Sequence, residues 1–239
     1  MDYKTEISKY YSEWWENPRD IRTVVFEDLN ELIRRRLPKG EGRKALDIGA
    51  GKGRIVNYLL EKGYEVTAVE LNKEFADKLR EKFPTIKVIQ GDICKLKLNE
   101  HFRLTTMIEV AQNLRQRDLS EILRKLAKIT NHLFINISNK NSLHGKWVKF
   151  RHFKKEFVFM YTPTDIESML RNTGFSVVYG KGVGLVTPIS LFHNFKGILI
   201  PIWLAKSINK RFNKYVPKLC HLYYIEAYSN SLSKAHSGE

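Results

Sequence analysis

The tract Ala45-Leu46-Asp47-Ile48-Gly49-Ala50-Gly51-Lys52-Gly53-Arg54 constrains this chain more than any other. An apolar run enters it and a helical pattern leaves it, so it reads as a turn from a strand into a helix. Gly49, Gly51 and Gly53 alternate through that turn. Glycine adopts positive φ without a steric penalty and lets a ligand approach the backbone closely. The start of the following helix offers backbone N–H groups that no helical carbonyl uses. Together these features describe a pocket of the nucleotide type, without saying which nucleotide.

The neighbouring residues narrow the choice. The dinucleotide fingerprint is G-x-G-x-x-G, whereas the spacing here is D-x-G-x-G-x-G, with Asp47 ending the strand. A carboxylate in that position suits a ligand that carries positive charge better than it suits a pyrophosphate. S-adenosylmethionine has an ammonium, a sulfonium and no phosphate. A second acid, Glu70, closes the next apolar run, Val66-Thr67-Ala68-Val69, 23 residues after Asp47. A carboxylate there can accept hydrogen bonds from two ribose hydroxyls.

On these residues the chain resembles the class I S-adenosylmethionine-dependent methyltransferases, well over about 40–180 and loosely at its ends. The resemblance implies a single α/β domain over 1–239: a Rossmann-like, seven-stranded, mostly parallel sheet of order 3-2-1-4-5-7-6, with helices on both faces and an antiparallel last strand near 222–228. It implies S-adenosyl-L-methionine as cofactor and S-adenosyl-L-homocysteine as product. It assigns the methionine end to Asp47, Gly49, Ala50, Gly51 and Gly53, the ribose to Glu70 with Leu71 beside it, and the adenine to Asp92 and Ile93. Glu109 falls near cofactor and acceptor. Glu109-Val110-Ala111-Gln112-Asn113-Leu114 is similar to the E-V-x-E-H-L tract of the ubiquinone-type O-methyltransferases, as Tyr10-Tyr11-Ser12-Glu13-Trp14-Trp15 is loosely similar to their start. The histidine of that tract is replaced by Asn113, which cannot serve as a base at neutral pH. The chain has no N-P-P-Y or D-P-P-Y tract at this point, which argues against methylation of exocyclic amines of nucleobases, and no Pro-Cys nucleophile for cytosine carbon chemistry.

Local patterns supply the remaining elements. Residues 5–37 read as helix, stopped by Pro38-Lys39-Gly40, and 1–40 as a helical cap. Strands are expected at about 43–48, 65–69, 87–90, 104–108, 132–137 and 176–179. Helices are expected from Arg54 to Lys62, at about 73–83 behind an Asn72 cap, at 118–129, and from a Thr162 or Thr164 cap to Asn172. The loop after the fifth strand carries His144, a candidate for proton abstraction; Tyr11 and Trp14 are further candidates on the acceptor side. A surface or capping role for His144, and core anchoring for the aromatics, stay open beside these readings.

Charge speaks to partners. The net charge is +15. Between Asn139 and Cys220 only Glu156, Asp165 and Glu167 face 14 basic residues. An insertion between the last two strands, about 181–219, joins the apolar run Ile198-Leu199-Ile200-Pro201-Ile202-Trp203-Leu204 to Lys206, Lys210, Arg211 and Lys214. Such a segment fits a membrane interface, a lid over an apolar substrate or a helical cap on the core. Similarity to family members that act on lipid-like or carrier-linked compounds extends to Gly182-Val183-Gly184 and Pro188. The expected acceptor is therefore a small-molecule or lipid-linked hydroxyl. RNA is the alternative, and a non-catalytic cofactor-binding module the third reading. Cys94 and Cys220 lack metal-site spacing, so no metal is expected. The start of the chain lacks a signal-peptide pattern, and no run is apolar enough to span a bilayer, which points to the cytoplasm, with peripheral contact with anionic membrane left open.

Overall fold

A computed structural model of the chain describes residue 6 and residues 23–142, 145–146, 159–186 and 202–233. In order, the elements are α1 (Thr23–Arg36), β1 (Lys44–Ile48), α2 (Arg54–Glu61), β2 (Glu65–Glu70), α3 (Lys73–Lys82), β3 (Lys87–Gln90), β4 (Phe102–Met107), α4 (Gln116–Ile129), β5 (Thr130–Ser138), α5 (Pro163–Asn172), β6 (Phe175–Val183), α6 (Ile202–Phe212), β7 (Leu222–Ser229) and α7 (Asn230–Ser233). One sheet takes the order β3-β2-β1-β4-β5-β7-β6. Pairing is parallel from β3 to β5, and β7 runs antiparallel to both β5 and β6.

A sheet covered on both faces needs strands that are apolar on both sides. Strand β5 shows how this sequence meets that demand: Leu133, Ile135 and Ile137 join one core cluster, while Phe134 joins the other. The first cluster is completed by Leu119, Ile122, Leu123 and Leu126 of α4 with Ile166, Met169 and Leu170 of α5. The second takes Leu29 and Ile33 of α1 with Ile55, Val56 and Leu59 of α2. Each helix presents its apolar residues three and four apart, the period that lines one face.

Parallel strands joined by helices leave their carboxyl ends along one edge. The ends of β1, β2 and β4 bring together Asp47, Glu70 and the turn at Glu109. Strand β6 is longer than its apolar pattern suggests: it pairs with β7 as far as Val183↔Leu222, with an irregularity between Val177 and Tyr179. Residues 181–183, expected in the insertion, are therefore strand, because β7 continues to offer partners. The connection from β6 to β7 then leaves from the same edge as the glycine turn, since Val183 and Ser138 both lie opposite Leu222.

Candidate functional site

The site is built from the turn upward. Gly49, Gly51 and Gly53 have φ of +71°, +55° and +80°. Two of them are also pinned by packing. A Cβ on Gly49 would stand 2.4 Å from Cγ2 of Val110, and one on Gly53 would stand 2.3 Å from Cε2 of Phe83. Gly51 differs, because a Cβ there would meet nothing within 4 Å. Space is therefore open above the middle of the turn. The backbone N–H of Gly49 donates to the Val69 carbonyl at 2.8 Å, which ties the turn to β2.

Asp47 is 2% exposed and accepts from the Thr106 hydroxyl at 2.7 Å. Burial pushes its carboxyl up to about 7, against the Thr106 hydrogen bond and the field of Arg54 and with the help of Glu70. Glu70 is also buried. Its Oε2 accepts from the Gly51 N–H at 2.7 Å and its Oε1 from the Asn72 N–H at 2.8 Å. Burial raises its pKa, and the backbone hydrogen bonds oppose the rise. The hydrogen-bond partners of both carboxylates are thus neutral. Leu71 follows, half-buried, its carbonyl accepting from Gln90 Nε2 at 3.2 Å. Past β3, Asp92 Oδ1 accepts from the Cys94 N–H at 3.0 Å, and Ile93 packs against the first core cluster.

Glu109 has φ of +63°, a conformation that non-glycine residues rarely adopt. Its surroundings hold it there. Its N–H donates to Asn136 Oδ1 at 2.7 Å, while Asn136 Nδ2 donates back to Glu109 Oε1. Gln112 Nε2 donates to Glu109 Oε2 at 3.0 Å. Backbone strain of this kind gathers where surrounding structure over-determines it, often at functional sites.

The structure thus gathers Asp47, Gly49, Ala50, Gly51, Gly53, Glu70 and Leu71 around one turn, sets Val110 against Gly49, and places Asp92 with Ile93 at the end of the adjacent strand β3. His144, Tyr11 and Trp14 lie outside the described residues. Sequence reasoning missed Thr106, Gln112 and Asn136, which hold the acids. Thr106 made an oddly polar strand, and Asn136 stands alone in the apolar run Leu133-Phe134-Ile135-Asn136-Ile137; a polar residue inside a buried strand was the available signal.

Comparison with known proteins bears on the same part of the chain. A family model described as a methyltransferase domain matches residues 45–132. Ribosomal RNA small subunit methyltransferase A of Geobacter sulfurreducens is 41% identical over 64 residues, 26% of this chain and 23% of that protein. The chloroplastic ribosomal RNA small subunit methyltransferase of Arabidopsis thaliana is 32% identical over 118 residues, 48% of this chain and 32% of that protein. The chain thus spans less than a third of the length of these curated relatives. Over nearly its whole length it shares a fold with magnesium protoporphyrin IX methyltransferase of Synechocystis PCC 6803, crystallised with bound S-adenosylmethionine: the TM-score is 0.64 at 13% identity, covering 96% of this chain and 98% of that one. Residues 45–132 thus match a methyltransferase domain, on a fold that the chain shares with an S-adenosylmethionine-binding methyltransferase.

Proposed function

We propose that the chain methylates a small-molecule or lipid-linked acceptor, most simply at a hydroxyl, with S-adenosylmethionine as methyl donor. The observation that supports the methyl donor in this reading is the acidic edge itself: Asp47, Glu70 and Glu109 lie at the carboxyl ends of β1, β2 and β4 around a turn with open space above Gly51. Acids with neutral hydrogen-bond partners fit a ligand whose charges are an ammonium and a sulfonium. When bound, S-adenosylmethionine supplies a methyl group activated by the sulfonium. The chain's own residues supply placement. Asp47 and the backbone of 49–53 hold the ammonium end. Glu70 accepts from the ribose hydroxyls, with Leu71 against the ring. Asp92 and Ile93 border the adenine. Glu109, fixed by Asn136 and Gln112, faces the acceptor side.

Transfer of a methyl group in line with its leaving group needs chiefly proximity and alignment. A base is required only if the acceptor hydroxyl has a high pKa. His144 and Tyr11 are the candidates for that role, and Trp14 for acceptor packing.

Asp47→Ala is expected to abolish measurable binding of S-adenosylmethionine; unchanged affinity would refute the role given to Asp47. RNA is the second reading, favoured by the names of the curated relatives and by the net charge of +15. Incubation with methyl-labelled S-adenosylmethionine separates the two. With lipid extract and total RNA offered together, label is expected in the organic phase. Label confined to RNA would establish the second reading.

A further inference from the structure

Helix α6 is built inside out. The face it turns inward carries Ala205, Asn209 and Asn213, four residues apart and all buried. Asn209 accepts from the Val186 N–H at 2.9 Å and donates to the Val186 carbonyl at 3.0 Å. Asn213 accepts from the Leu185 N–H at 3.0 Å. The helix is therefore fastened to the end of β6 by amide hydrogen bonds, where most surface helices dock through an apolar stripe.

Its apolar mass faces outward. Trp203 is 71% exposed and Tyr215 66%, with Phe212 and Leu219 also exposed. The remaining large exposed hydrophobics among the described residues, Val178 and Tyr228, lie on β6 and β7, so the outward apolar surface concentrates on α6 and the short segment after it. Phe212 and Tyr215 pack ring to ring at 6.5 Å, and Lys214 lies over the Tyr215 ring at 4.7 Å. Lys206 is paired with Glu27 of α1 at 2.9 Å. Lys210, Arg211 and Lys218 make no ion pair among the described residues, and no acid occurs from 202 to 219.

We propose that α6 and residues 213–219 form a docking surface for an anionic lipid bilayer. An amphipathic helix with a basic stripe and outward aromatics lies in the interface plane, its apolar side chains below the headgroups and its bases against lipid phosphates. Trp and Tyr favour that depth. The exposed Leu219 adds an aliphatic side chain that a bilayer takes up and that stacking on nucleic-acid bases does not use. Charge complementarity thus admits either phosphate polymer or phosphate surface, and the aliphatic content selects the surface. The surface also lies at the useful end of the molecule. The connection carrying α6 leaves the sheet at the edge where β1, β2 and β4 end, so docking sets the candidate site close to acceptors dissolved in the bilayer.

Co-sedimentation of the full chain with vesicles tests this without using the cofactor, so its outcome is independent of the methyltransferase reading. Binding is expected to vesicles of mixed phosphatidylcholine and phosphatidylglycerol, to be weak on phosphatidylcholine alone, and to fall with salt. Each of Lys210→Ala and Arg211→Ala is expected to lower partition about fivefold, and the pair about twenty-five-fold. Trp203→Ala, at a side chain that is mostly exposed, is expected to lower it about tenfold with far-ultraviolet circular dichroism unchanged. Absence of binding to anionic vesicles would overturn the proposal, as would binding indifferent to all three substitutions. Salt-sensitive binding to a single-stranded RNA oligonucleotide without vesicle binding would overturn it in favour of a nucleic-acid surface.

Discussion

A Cβ on Gly49 would stand 2.4 Å from Cγ2 of Val110, on a residue whose φ is +71°. Both the clash and the backbone strain act together in Gly49→Ala, which is expected to cost about 3 kcal/mol in urea unfolding. Val110→Ala in the same chain should recover the packing part and leave the backbone part. A cost below about 0.5 kcal/mol for Gly49→Ala would mean that the turn relaxes and that glycine is not required there. The acids and glycines of the site were legible because their chemistry is written at fixed spacing around one turn. Asn136 was not, because what makes it matter is that β4 and β5 pair in register and bring it to Glu109, 27 residues away. The same holds for Thr106, whose partner Asp47 lies 59 residues away, on the adjacent strand β1. Nothing local in either tract distinguishes a polar residue that holds an acid from one that merely interrupts a strand.

At the scale of elements, the start of α5 was readable and the attachment of α1 was not. Thr162 accepts from the Asp165 N–H at 3.1 Å and Asp165 from the Thr162 N–H at 3.3 Å, a reciprocal capping box with Pro163 in the first turn. Such a cap is visible in a few consecutive residues. Thr162→Ala is expected to destabilise the chain by about 1 kcal/mol, seen as a lower thermal midpoint. The end of α1 is held otherwise. Arg36 at its last turn meets Glu226 of β7 through two hydrogen bonds, at 2.6 and 2.9 Å, and lies 4.2 Å over the Tyr179 ring. Tyr224 donates to the same carboxylate at 3.0 Å. Burial works to raise the Glu226 pKa, but Arg36, with His132 and Tyr224, holds it down to about 2. Removing Arg36 alone leaves a buried carboxylate without its cation. Arg36→Ala is expected to cost about 3 kcal/mol, and the double substitution Arg36→Met with Glu226→Gln distinctly less, by denaturant titration. Equal costs would show that packing, not charge, sets the contribution. A partner 190 residues away could not be read from either sequence segment.

For the whole molecule, two carboxylates respond to pH in opposite senses. Asp47 has a folded pKa raised to about 7, so its contribution to stability of the ligand-free protein is fully present below the ordinary carboxylate range and is lost as pH rises through about 7. Glu226, held down to about 2, contributes stability above the ordinary range that is lost as pH falls toward about 2. Ligand-free stability is therefore expected to peak in mildly acidic solution. Binding of a cationic ligand should run the other way on the acid side, weakening as pH falls through about 7 and Asp47 takes up a proton. It should weaken again above about 8, where an α-ammonium gives up its own. Asp47→Asn is expected to remove the acid limb. No helix among the described residues is long and apolar enough to cross a membrane. The sheet order and the two helical layers were legible through the family resemblance, because alternating strands and helices leave few topologies. The inverted face of α6 was not, because an apolar residue in a sequence does not say which side of a helix the protein will cover.

On the function proposed above, the acidic edge around the glycine turn holds S-adenosylmethionine. Calorimetric titration of the purified chain, stripped of co-purified ligand, with S-adenosylmethionine and S-adenosylhomocysteine tests it most directly. One site per chain is expected, with a Kd of about 10 μM or tighter, lost in Asp47→Ala. A folded protein that binds neither compound, or that binds both unchanged when Asp47 is replaced, would contradict it.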